Sequence, residues 1–116
     1  IEKQSMPSDE WIALVNDIRD AIRKIERCVS GVDWRAFQES DGKIAAVERW
    51  LITIGEAANR LWDEVRARCP DVPWSQIIGM RHSGVHAYRT VKLEVVWKTV
   101  HDDLPPLDAA LERLLD

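Results

Sequence analysis

The amino-acid sequence predicts an all-α protein, an antiparallel bundle of four to five helices. Three observations carry this. Apolar residues return every three or four positions through long stretches, with charged residues on the remaining faces. No stretch alternates apolar and polar residues with the period of a strand, and there are no internal repeats or low-complexity tracts. Proline and glycine gather at a few places and cut the chain into helix-sized pieces.

The first piece contains Trp11, Leu14, Val15, Ile18, Ile22, Ile25 and Val29, an amphipathic helix with Ser8 as the expected N-cap and Gly31 as the stop. A polar connection is expected through Asp41-Gly42. The second helix is longer. Its buried face is marked by Ile44, Val47, Leu51, Ile54, Ala58, Leu61, Trp62 and Val65, and it ends before Pro70. Pro70-Asp71-Val72-Pro73 breaks the chain, and Pro73 opens a short helix beginning Trp74-Ser75-Gln76. A further helix runs from about Lys92 through Leu93, Val96, Trp97 and Val100. Pro105-Pro106 is expected to interrupt it before a closing segment from Leu107 to Leu115. The six tryptophans read as core and contact mass, because the indole buries a large area.

A chain of 116 residues fits one domain, 1–116, and can bury a core without staples. Charged residues make up 31% and apolar ones 46%, a globular balance. Cys28 and Cys69 lack any CxxC spacing, so free thiols are expected in place of a disulfide framework or zinc site. No apolar run reaches membrane-span length and no signal-peptide pattern opens the chain, which begins with Ile1 as if a short leader were missing. The expected location is the cytoplasm.

The net charge of −4 is unevenly spread. Residues 60–92 hold six lysines and arginines against three carboxylates, a local +3 that leaves −7 for the rest. Such a surplus suits a local anionic ligand better than broad binding to duplex nucleic acid; an uneven scatter over solvated helix faces is the plain alternative.

The surplus includes Arg81-His82-Ser83-Gly84-Val85-His86-Ala87-Tyr88. A guanidinium offers a rigid fork of donors that matches phosphate oxygens, and an imidazole can take and give a proton near neutral pH. On a regular helix, at about 100° per residue, Arg81 and Tyr88 share a face while His86 points about 140° away from Arg81. Arg81 and His86 therefore meet only if the chain bends, as Gly84 permits, or if the Arg of one subunit meets the His of another. His101, near a helix end, reads as a cap or surface group.

These residues resemble the HEPN superfamily, whose signature is an Arg followed four to six residues later by His. The chain is most similar to the HepT group, with its Arg, four residues, His, any residue, Tyr, here Arg81, His86 and Tyr88. The resemblance extends through Ile54-Gly55-Glu56-Ala57-Ala58, Pro73-Trp74, Ile77-Ile78-Gly79-Met80, Leu93-Glu94-Val95-Val96-Trp97 and Asp103-Leu104-Pro105-Pro106-Leu107, and covers about residues 10–115. The residue after the Arg is commonly Asn or Asp in the superfamily and is His82 here. Three roles are open to it: support of the site, a second proton carrier, or a weakening of activity.

The resemblance implies a metal-independent endoribonuclease toxin without cofactors, acting as a homodimer on RNA and paired with a minimal nucleotidyltransferase antitoxin. In that scheme Arg81 binds the scissile phosphate and His86 is the general acid and base. Tyr88 accepts adenylyl groups from the antitoxin, which silences the site. His82 and Glu56 are candidate supporting residues, Glu56 equally as a structural ion pair. The alternative function is a non-catalytic nucleotide- or anion-binding subunit that docks a minimal nucleotidyltransferase. A purely structural helical dimer is the third reading.

Overall fold

The structure is a computed structural model that describes residues 4–82 and 93–116. Within them all regular structure is helical, with no strand. Seven α-helical segments occur: α1 Ser8–Val29, α2 Trp34–Gln38, α3 Asp41–Arg60, α4 Asp63–Arg66, α5 Trp74–Gly79, α6 Leu93–Lys98 and α7 Leu104–Leu115. A 3-10 turn, Met80–His82, extends α5, and a π-helical turn, Thr99–Asp103, joins α6 to α7.

Helix α1 buries the stripe read from its sequence: Trp11, Leu14, Val15, Ile18, Ile22, Ile25 and Val29 all face the core, with Ala21. Its expected cap shifts by one position. Ser8 is already helical, and the Pro7 carbonyl accepts from the amides of Glu10 and Trp11. Asp9 and Glu10 place negative charge against the positive end of the helix dipole. Gly31 has φ +72°, a left-handed conformation that ends the helical path at little cost only for glycine.

The connection after it holds more structure than expected. Asp33 caps α2 by accepting from the Ala36 amide at 2.8 Å, and α2 puts Phe37 fully inside the core. Ser40 caps α3 through the Lys43 amide, so Asp41-Gly42 form the first turn of α3 and are not a loop. With only five residues, α2 is too short to display a helical period, which is why the apolar pattern misses it.

Helices α1 and α3 form the main packed pair, and the Arg19 Nε donates to Asp108 Oδ1 at 2.9 Å to tie α1 to α7. The long second helix stops earlier than predicted. Leu61 turns extended, with ψ 134°, and α4 starts anew at Asp63. This redirection keeps Leu61 and Val65 buried but turns Trp62 outward, 40% exposed, in place of its expected core position. The Trp74 Nε1 donates to the carbonyls of both Arg66 and Cys69 at 3.0 Å, closing the proline-bounded loop between α4 and α5.

The predicted interruption at Pro105-Pro106 does not occur. The chain stays helical from Leu93 to Leu115. The two prolines occupy the first positions of α7, where their missing amides cost least, and the widened turn before them bonds the Leu104 amide to the Thr99 carbonyl. Phe37 and Trp34 of α2 pack on the Trp97 ring of α6 at 5.0 and 5.8 Å between centroids. Most of the tryptophans are core or partly buried mass, as expected; Trp62 is the exception.

Candidate functional site

The site is built where the end of α5 meets the middle of α3. Gly55 makes that meeting possible. A Cβ placed on Gly55 would lie 2.5 Å from the Arg81 amide nitrogen, 3.0 Å from the Ile77 carbonyl oxygen and 3.1 Å from that of Ile78. Any side chain there would have to push backbone aside, so the bare Cα lets α5 and the 3-10 turn lie directly on α3. Ile77 is buried beneath this contact and anchors α5.

Arg81 leaves the 3-10 turn half-buried. Its Nε donates to the Nε2 of His82 at 3.0 Å. Its Nη1 is buried and has no hydrogen-bond partner among the described residues. Nor does Arg81 form an ion pair among them, so its charge is not spent on a neighbouring carboxylate there. A buried guanidinium donor of this kind is costly to leave unsatisfied and suits an anionic oxygen.

The other expected residues divide. His82 is exposed and directly joined to Arg81. Glu56 follows Gly55 on α3 but is exposed and in no ion pair among the described residues, so the structure does not bring it to Arg81 by a salt bridge. His86 and Tyr88 lie outside the described residues, as does the bend expected at Gly84. His101 is on the surface with its Nδ1 2.9 Å from the Trp97 carbonyl oxygen and its ring 4.1 Å from the Trp97 indole. Among the described residues no three His, Cys, Asp or Glu side chains gather in a group that could hold a metal ion, and no helix is long and apolar enough to cross a membrane.

Glu48 went unnoticed in the sequence. It is a buried carboxylate on α3, 4% exposed and engaged with a partner. The signal was available: Ile44, Glu48, Leu51, Gly55 and Ala58 form one stripe of alternating four- and three-residue steps. Glu48 therefore lies two turns before Gly55 on the same face. A carboxylate in such a stripe is expected to be buried, and burial requires compensation.

Both cysteines are free thiols, as expected. Cys69 is buried, with its Sγ 3.7 Å from the Ala110 carbonyl oxygen. Burial pushes its pKa above the ordinary thiol value; Arg113 opposes that shift and Asp71 adds to it.

Comparison with known proteins places the chain in a family. The family model described as "Ribonuclease HepT-like" matches residues 18–114. A protein of Thermococcus cleftensis named "Probable ribonuclease HepT" is 34% identical over 86% of this chain and 91% of its own. A protein of Caldanaerobacter subterraneus named "Putative RNase" is 34% identical over 78% of this chain and 80% of its own. Another of that name, from Methanocaldococcus jannaschii, is 28% identical over 86% and 92%. No solved structure matches the chain. With nearly the whole helical region matched, and Arg81 seated by Gly55 within it, the chain belongs to the HepT-like ribonuclease family of the HEPN superfamily.

Proposed function

We propose that this chain, as one HEPN-like domain, is a metal-independent endoribonuclease that acts as a homodimer and as the toxin of a pair with a minimal nucleotidyltransferase antitoxin. The observation that carries the reading is Arg81: an arginine whose backbone is seated on Gly55 of α3, in no ion pair among the described residues and with a buried guanidinium donor. The naming of its relatives as ribonucleases supports RNA as the anion it receives.

In the proposed reaction the ribose 2′-hydroxyl gives its proton to the His86 imidazole as its oxygen bonds to the adjacent phosphorus. The bond from phosphorus to the 5′ oxygen breaks, and that oxygen takes a proton from the imidazolium of the second copy's His86. The products are a 2′,3′-cyclic phosphate and a 5′-hydroxyl. Arg81 donates to the non-bridging oxygens and stabilises the charge that grows on them. One motif histidine per subunit makes a dimeric cleft chemically economical, since the step uses both a base and an acid.

Tyr88 is the proposed point of control. Its phenol oxygen attacks the α-phosphorus of ATP on the antitoxin, pyrophosphate leaves, and an AMP group remains on Tyr88. That anion then competes with RNA phosphate for Arg81.

Expression of the chain alone, beside His86→Ala, tests the catalytic reading against a non-catalytic anion-binding subunit. Growth arrest and RNA cleavage should fall by about 100-fold or more in His86→Ala, the usual scale of acid–base catalysis. Cleavage that survives the substitution unchanged would sink this catalytic reading, and absence of cleavage by the wild type would leave the binding one. Wild-type cleavage should continue in EDTA. Incubation with the antitoxin and ATP should add AMP mass at Tyr88 and not in Tyr88→Phe.

A further inference from the structure

We infer that His82 is a positioning residue for Arg81, acting as a neutral, Nδ1-protonated imidazole whose Nε2 lone pair holds the guanidinium through Nε. The inference rests on the proposed reaction for its functional consequence but not for its chemistry. The contact is short, 3.0 Å, and its direction is dictated by the partners. Arginine has donors and no acceptor, so the imidazole nitrogen facing it must be unprotonated. The proton of a neutral His82 is then on Nδ1, the less populated tautomer of a histidine free in water.

Geometry gives this bond a purpose. Gly55 fixes the backbone of Arg81 but does not itself order the long side chain. Holding that chain in one arrangement opposes its rotamer entropy. A restraint at Nε orders the chain up to the plane of the guanidinium. It also commits Nε, so that an anion meets the remaining donors of the fork. Nη1 is the donor that is buried with no hydrogen-bond partner among the described residues. His82 thus sets how the guanidinium is presented to a phosphate.

The same bond decides among the three roles open to His82. A proton carrier would have to load its proton on Nε2 or carry one on both nitrogens. Either form abolishes the acceptor and sets a donor against a donor. His82 supports the site by staying neutral, and proton transfer falls to another group.

Long-range proton–nitrogen NMR of the full chain, with the His82 ring assigned by its loss in His82→Gln, tests the tautomer directly. The wild-type ring should show the Nδ1–H pattern, and Arg81→Ala should return it towards Nε2–H. RNA cleavage kinetics then test the consequence. His82→Leu should lose about tenfold in kcat/KM, carried by KM. His82→Gln, whose carboxamide oxygen can accept at the position of Nε2, should recover to within about threefold. A wild-type Nε2–H ring, or a Gln variant as impaired as Leu, would overturn the inference. Absence of cleavage by the wild type would instead sink the ribonuclease reading, and the tautomer would still be decided.

Discussion

The α-carbon of Gly55 faces the backbone nitrogen of Arg81 so closely that a methyl group on it would stand 2.5 Å from that nitrogen. A helix position normally gains about 1 kcal/mol when glycine becomes alanine. Here the sign should reverse. Gly55→Ala should destabilise the fold by about 1–3 kcal/mol, the usual scale of overpacking, because only backbone atoms can yield. Urea denaturation should show a lower midpoint, and RNA cleavage should fall further than the change in folded fraction accounts for. A more stable, fully active variant would contradict the close packing.

Arg81→Lys tests the fork. It retains the charge but loses the planar donor set and the Nε that engages His82. RNA cleavage under subsaturating substrate should drop about 10- to 100-fold, with the far-ultraviolet circular dichroism unchanged. If charge alone sufficed, lysine would work nearly as well as arginine.

Phe37 is expected to be a main support of the helical pair that α6 rests on. It is fully buried and 5.0 Å from the Trp97 ring. Phe37→Ala should cost about 3–5 kcal/mol, and Phe37→Leu clearly less, in thermal or chemical unfolding. Equal losses in both would mean that the aromatic contact, which both variants lose, outweighs the cavity.

The two cysteines should react differently. Cys69 is buried with its pKa raised, chiefly by desolvation, while Cys28 is partly exposed. Iodoacetamide at neutral pH should label Cys28 first, and Cys69 only at higher pH or after unfolding. The stability linked to Cys69 has a definite sign. It is fully present below the ordinary thiol pKa, where folded and unfolded chains both hold the proton. It declines as pH rises towards the raised folded value, because the unfolded chain loses its proton first. Unfolding measured across the alkaline range should show this decline in wild type and less of it in Cys69→Ala.

How much of this was legible beforehand depends on the length over which a signal repeats. The stripe of α1, from Trp11 to Val29, spans about five turns, and every position read from it is buried. The stop at Gly31 was equally plain because its positive φ suits glycine alone. By contrast, α2 and α4 have five and four residues, too few to show a period. The end of α3 was misread for a related reason. Leu61, Trp62 and Val65 keep helical spacing, yet the chain turns extended at Leu61, and only packing shows that Trp62 loses its place in the core. The prolines of α7 misled in the opposite direction, since a single widened turn absorbs them.

The candidate site divides in the same way. Residue types and near spacing suffice for an all-helical chain, the family motif Arg81, His86 and Tyr88, and the concentration of positive charge around it. None of these needs a partner helix to be read. It takes the packing of α5 on α3 to show that Gly55 is the seat of the Arg81 backbone, that His82 is bonded to Arg81 and that Glu56 is exposed. Each of those depends on how α3 and α5 approach, across the 25 residues of chain between Gly55 and Arg81. Local periodicity does not encode that approach; the absence of one methyl group, meeting a backbone from elsewhere, does.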